Sequence, residues 1–166
     1  MAKDVLPVRV VAEVRLVSTL ADFVAKVTEF NQDFRGPTVR EIKVYGPFAT
    51  RDLETRAGDM KDDWRAIYHC DQPGVYCFLD AGRDVYYIGK ASGRRTIAGR
   101  FMRHRKYHLG KGDWSRWKAT QHAQFVPVPV EREHPFMACA LEEYLIDALQ
   151  PPGNRQGRRR GATRGR

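Results

Sequence analysis

No apolar run approaches the roughly 20 residues that a helix needs to cross a bilayer. The first residues, MAKDVLPVRVV, lack an apolar stretch ending in a small-residue cleavage site. A cytoplasmic setting without membrane attachment is therefore expected. No CxxC pair occurs, and the three cysteines, Cys70, Cys77 and Cys139, are scattered and odd in number. That argues against a disulfide framework and a structural zinc ion, and for buried thiols in a reducing compartment. There is no internal repeat. Acidic residues are outnumbered: 20 Asp and Glu face 29 Lys and Arg, for a net charge of +9. Such a balance gathers polyanions, chiefly nucleic acid, although charge alone also serves solubility.

What is present suits one domain, or a small catalytic core with an extension: 166 residues, 42% of them hydrophobic and 30% charged. Val8 to Leu16 alternates with period two and predicts a strand. Ser18 or Thr19 caps a helix over Leu20–Phe34, with Leu20, Phe23, Val24, Val27 and Phe30 at helical spacing. Gly36 and Pro37 end it. Thr38 to Val44 reads as a second strand, and Phe48 to Asp71 as loop with a short helix. GVYCFL (74–79) and DVYYI (84–88) flank a turn at Asp80, Ala81 and Gly82, which predicts a hairpin. A helix from Thr96 to His108 follows, then a third strand over 123–130 whose prolines suggest an edge position. The last helix runs from Phe136 to Leu149 and stops at Pro151, Pro152 and Gly153. The tail, RQGRRRGATRGR, cannot pack a core. Residues 1–69 form an N-terminal extension, 70–154 a core and 155–166 a basic tail expected to be disordered.

The hairpin carries Gly74-Val75-Tyr76 and Tyr87-Ile88-Gly89, and Lys90-Ala91 follows the second triplet. Arg100 and His104 stand one turn apart on the next helix, Glu142 lies in the last helix, and Asn154 follows the Pro-Pro-Gly break. In this order the residues resemble the GIY-YIG nuclease signature over about residues 70–154, with Val for Ile in the first triplet. Lys90-Ala91 is similar to the excision-repair incision nucleases of that family. The resemblance implies an α+β fold, with a small, mostly antiparallel three-stranded sheet flanked by helices, here preceded by a β-α-β extension. It also implies a metal-dependent DNA endonuclease.

Phosphodiester hydrolysis needs a deprotonated nucleophile, charge neutralisation on the phosphate and a stabilised leaving oxygen. In the family the first tyrosine, here Tyr76, is thought to take the water's proton. A phenol titrating near 10 needs a nearby cation for that role, and Lys90 and the metal are candidates. Tyr87 can share a face with Tyr76, because strand register rather than sequence parity sets facing. Arg100 offers paired planar donors to a phosphate. His104, on the same side of the helix, competes with Tyr76 as base. Glu142 would be the single protein carboxylate on Mg2+, or Mn2+, an ion that keeps waters and uses few carboxylates. Asn154 would hold the site together.

Rival readings remain beside these. Glu143 adjoins Glu142, but Leu145 and Ile146 follow Glu142 at the repair-nuclease spacing. Arg103 rivals Arg100, but has no His four residues on. Hairpin tyrosines alone are more often core, Lys90 is as readily a surface lysine, and Asn154 suits a helix end. His104 and His108 have metal-ligand spacing without an evident third ligand.

Between Arg100 and Lys118 stand Arg103, Arg105, Lys106, Lys111, Arg116 and Lys118 against Asp113 alone, with Trp114 and Trp117 interleaved. These cations are expected on DNA phosphates, with the tryptophans packing. The expected partner is DNA, double-stranded ahead of RNA, bound by a monomer or by a homodimer assembled on it. Size favours a restriction-type or mobile-element enzyme over a repair or branched-DNA nuclease. A noncatalytic nucleic-acid-binding module on the same scaffold is the rival from another class.

Overall fold

A computed structural model of the chain describes residues 17–53, 64–110 and 123–154, apart from the side chains of residues 64, 67 and 104–110. The strand expected over residues 8–16 and the tail 155–166 lie outside the described residues. Helix α1 spans Leu20–Phe34. Thr19 caps it, and a capping box with Asp22 satisfies two backbone donors: the Thr19 amide donates to the Asp22 carboxylate at 2.7 Å and the Asp22 amide to the Thr19 hydroxyl at 3.3 Å. Phe23, Val27 and Phe30 are buried, and each such side chain contributes about 1.5–3 kcal/mol. Val24, expected on the same stripe, is 40% exposed.

The strand expected over Thr38–Val44 does not form. Both backbone groups of Ile42 are taken by the Asn31 side-chain amide, at 2.9 and 2.8 Å. Strand β1 is only Phe48–Ala49, and it pairs antiparallel with β4, Gln124–Pro129. The reason lies in β4. The carbonyls of Ala123 and Pro127 accept from the Thr50 and Tyr45 amides, each at 3.1 Å, so odd-numbered residues of β4 face this side. Pro127 and Pro129 therefore have no N–H to offer where a ladder would continue. A short helix, α2, spans Trp64–Ile67.

Strands β2 (Gly74–Leu79) and β3 (Val85–Ala91) form the hairpin. Among the described residues the sheet has four antiparallel strands in the order β1-β4-β2-β3. This revises the expectation of three strands with β4 at the edge: β4 lies inside, and its prolines shorten the outer strand instead. The α+β class holds.

Helix α3 spans Ile97–Gly110. Its first amides are satisfied by the Thr96 hydroxyl, which accepts from Gly99 at 3.1 Å, and by the carbonyls of Gln72 and Cys70. Helix α4 spans Met137–Leu149, and left-handed Gln150 ends it, with its amide donating to the Ile146 carbonyl at 2.9 Å.

One sheet face carries Val75, Cys77, Leu79, Val126 and Val128 against α1 and α4; Ile42 joins this core. The other carries Tyr76, Phe78 and Phe125 against Ile97, Ala98 and Phe101 of α3. No helix among the described residues is long and apolar enough to cross a membrane. All three cysteines are free, and burial first, then Asp71, pushes the Cys70 thiol up to about 12.

Candidate active site

The hairpin register sets the tyrosines diagonally. Tyr76 stands opposite Gly89, and Tyr87 opposite Phe78. Their rings lie 6.2 Å apart at 40°. Tyr76 is fully buried, between Phe125 (5.8 Å) and Phe78 (5.8 Å). Its phenol crosses over Gly89. A Cβ at residue 89 would fall 2.5 Å from the Tyr76 hydroxyl oxygen and 2.8 Å from the Tyr87 ring. The glycine of the second triplet is thus needed because the tyrosine of the first lies across it.

The Tyr76 hydroxyl makes side-chain hydrogen bonds with Arg100 and Tyr87. Burial, aided by Tyr87, holds Tyr76 well above the ordinary tyrosine range, and Arg100 opposes this without overcoming it. Burial and then the Glu142 charge raise Tyr87, while the hydrogen bond from Tyr76, Arg100 and Lys90 pull it down. Shared between two phenols, that bond favours Tyr76 as donor and Tyr87 as acceptor. Tyr87 is only half-buried and senses Tyr76, Arg100, Glu142 and Lys90 together.

Lys90 joins the two sides of the site. Its carbonyl accepts from the Arg100 Nε at 3.1 Å, and its ammonium meets the Glu142 Oε2 at 2.6 Å. Glu142 follows the buried Leu141 on α4, and the helical turn of about 100° between neighbours carries its carboxylate out to β3. Arg103 and Glu143, the rival arginine and carboxylate, are both exposed.

Asn154 is buried and pins β3. Its side-chain oxygen accepts from the Ile88 amide at 2.9 Å, and its side-chain amide donates to the Ile88 carbonyl at 2.7 Å. The Gly153 amide adds a bond to the Tyr86 carbonyl at 2.8 Å, and a Cβ at 153 would fall 2.8 Å from that oxygen. The free edge of β3 is thereby paired by the segment after α4.

The structure therefore brings Tyr76, Tyr87, Lys90, Arg100 and Glu142 into one neighbourhood, with Asn154 behind the strand. His104 sits on α3, but its side chain, like those of His108, Arg105 and Lys106, lies outside the described residues, as do Lys111, Arg116 and Lys118. Two features escaped the sequence. One is Gly89 as the bed of the Tyr76 ring, for which the signal was a glycine inside a strand. The other is Cys139, which acts on the Lys90 charge and lies three residues before Glu142, on the same helical side.

The donor set fits a hard divalent ion. Glu142 offers one carboxylate, and magnesium needs few protein oxygens when water and phosphate complete its shell. No group of three His, Cys, Asp or Glu converges among the described residues. No protein-family model, curated protein or solved structure matches the chain.

Proposed function

We propose that the chain is a metal-dependent endonuclease that hydrolyses DNA phosphodiesters at this cluster. A single observation carries the reading: two tyrosines, an arginine and a carboxylate from four different elements meet beside one lysine, in the order in which the GIY-YIG signature distributes them. Structural packing accounts for a buried tyrosine. It does not account for Arg100, Lys90 and Glu142 drawn to the same edge.

Arg100 would neutralise and orient the scissile phosphate, with its Nε already held by the Lys90 carbonyl. Tyr87, the less buried of the two tyrosines, would be the one to meet the attacking water. Tyr76, kept protonated by burial, would orient Tyr87 by donating to it, and the water's proton would pass to His104, the competing base of the sequence reading. Glu142 would hold Mg2+ or Mn2+, whose chemistry when bound is to stabilise the leaving oxygen. Asn154 acts only through β3. The basic residues Arg103, Arg105, Lys106, Lys111, Arg116 and Lys118 would extend phosphate contact away from the site. We place the enzyme in the restriction or mobile-element class, acting on duplex DNA as a monomer or as a homodimer on its site, in the cytoplasm.

Digestion of duplex DNA, branched DNA and RNA in parallel, with magnesium, tests the reading. The expected result is DNA cleavage by the native chain and none by Glu142→Ala, which still binds DNA. Equal nicking by both proteins would remove Glu142 from the mechanism. DNA binding without cleavage by either would leave a binding module.

A further inference from the structure

We propose that Lys90 is a resident counter-ion in the metal seat, and that its ammonium and a divalent cation compete for the Glu142 carboxylate. The inference rests on the reading of Glu142 as the metal carboxylate. The ammonium lies 2.6 Å from Oε2, against the carboxylate that would hold the ion. Two cations against one carboxylate repel each other, so binding of either weakens the hold of the other.

The structure indicates which partner gives way. The Glu142 side chain is 15% exposed and is carried by a helix whose neighbouring face is locked into the core. The Lys90 side chain is 31% exposed. Its backbone is fixed by pairing with Val75 and by the Arg100 bond to its carbonyl. The flexible four-carbon stem is therefore the part free to swing. A landing place is at hand: Glu143, exposed and adjacent, already acts on the Lys90 charge. A substrate phosphate would be a second.

The arrangement has a use. A carboxylate beside the Tyr87 phenol would otherwise stand without its ammonium partner, and it already raises Tyr87. Lys90 keeps it paired until metal and substrate arrive, then becomes a spare cation beside them. Lys90 is on this account a positioning residue with two partners.

Mn2+ binding to the full chain without DNA, followed by electron paramagnetic resonance, tests this without reference to cleavage. Lys90→Met, similar in length but uncharged, should bind Mn2+ about fivefold tighter than the native chain, the scale of a partly exposed ion pair. Lys90→Arg, which can grip the carboxylate with two donors, should bind more weakly than native. Glu142→Gln should lose the site. Equal or weaker binding by Lys90→Met overturns the proposal, as does native-like binding by Glu142→Gln. Should Lys90→Met fail to fold, Lys90→Arg binding as tightly as native overturns it instead. Failure of the nuclease reading would register separately, as absent DNA cleavage with the order of Mn2+ affinities intact.

Discussion

Beneath α1 and α4 the sheet presents Val75, Cys77, Leu79, Val126 and Val128, whereas beneath α3 it presents Tyr76, Phe78 and Phe125. The first face is aliphatic and closed over by two helices. The second is aromatic, with rings 5–6 Å apart, and phenol oxygens are built into its packing. Aliphatic side chains contribute burial and no chemistry. Aromatic ones contribute comparable burial and also carry a hydroxyl to a chosen point. The candidate site lies where the faces meet, at the β3 edge, with Arg100 arriving from the aromatic side and Glu142 from the aliphatic side.

The sharpest separation of the two faces is a reciprocal pair of truncations. Leu141→Ala, in the aliphatic core, should cost about 2–5 kcal/mol of stability in urea melts. Its cleavage rate per folded molecule should stay near native. Arg100→Ala should cost less in the melt than Leu141→Ala, about 1–2 kcal/mol for its lost hydrogen bonds, yet lower kcat by about 10²–10³-fold, the cost of losing one aimed cationic donor. Loss of activity from Leu141→Ala in fully folded protein would break the division.

Gly89→Ala should strike both properties at once. Its Cβ would collide with the Tyr76 hydroxyl, so the ring must shift. A loss of about 1–3 kcal/mol is expected, together with reduced cleavage. Adding Tyr76→Phe should not restore stability, because the ring carbon Cζ would still lie 2.6 Å from the new Cβ.

Two asparagines sharpen the comparison further. Asn31 clasps Ile42 through the same two bonds by which Asn154 clasps Ile88. Only Asn154 stands behind the tyrosine strand. Asn154→Ala should cost about 1–3 kcal/mol by leaving buried backbone groups unpaired, and should lower cleavage by displacing Tyr87. Asn31→Ala, at a half-exposed position where water can enter, should cost less and leave cleavage alone.

The smallest effect belongs to the aliphatic side's periphery. The backbone and side-chain bonds with Thr19 hold Asp22 below its ordinary value of 3.8. A depressed folded-state value means stabilisation that is complete above about 3.8 and lost as pH falls through the lower folded value. Asp22→Asn should therefore flatten the stability–pH curve below about pH 4 and change nothing in cleavage at neutral pH.

Much of this was legible in advance because it is local. Helix α1 begins beyond Thr19 and ends at Phe34 as capping and spacing require, and the hairpin and α4 follow turn and breaker residues. The missing 38–44 strand was not legible. An alternating segment states that it can pair, but not whether its neighbour has donors to give. Pro127 and Pro129 stood in the sequence as a warning about β4 itself. Their effect fell on the strand beside it, because only the register showed which way their missing amides face.

Residue order alone determined which side chains were available for a shared site, since helical spacing, strand alternation and turn chemistry act over a few positions. Tertiary structure decided what each became. Tyr76 is sealed in the core while Tyr87 stays half-open, Glu142 rather than Glu143 meets Lys90, and Asn154 spends its amide on a strand edge. Burial and pairing depend on partners dozens of residues away, and no local pattern encodes the distance between them.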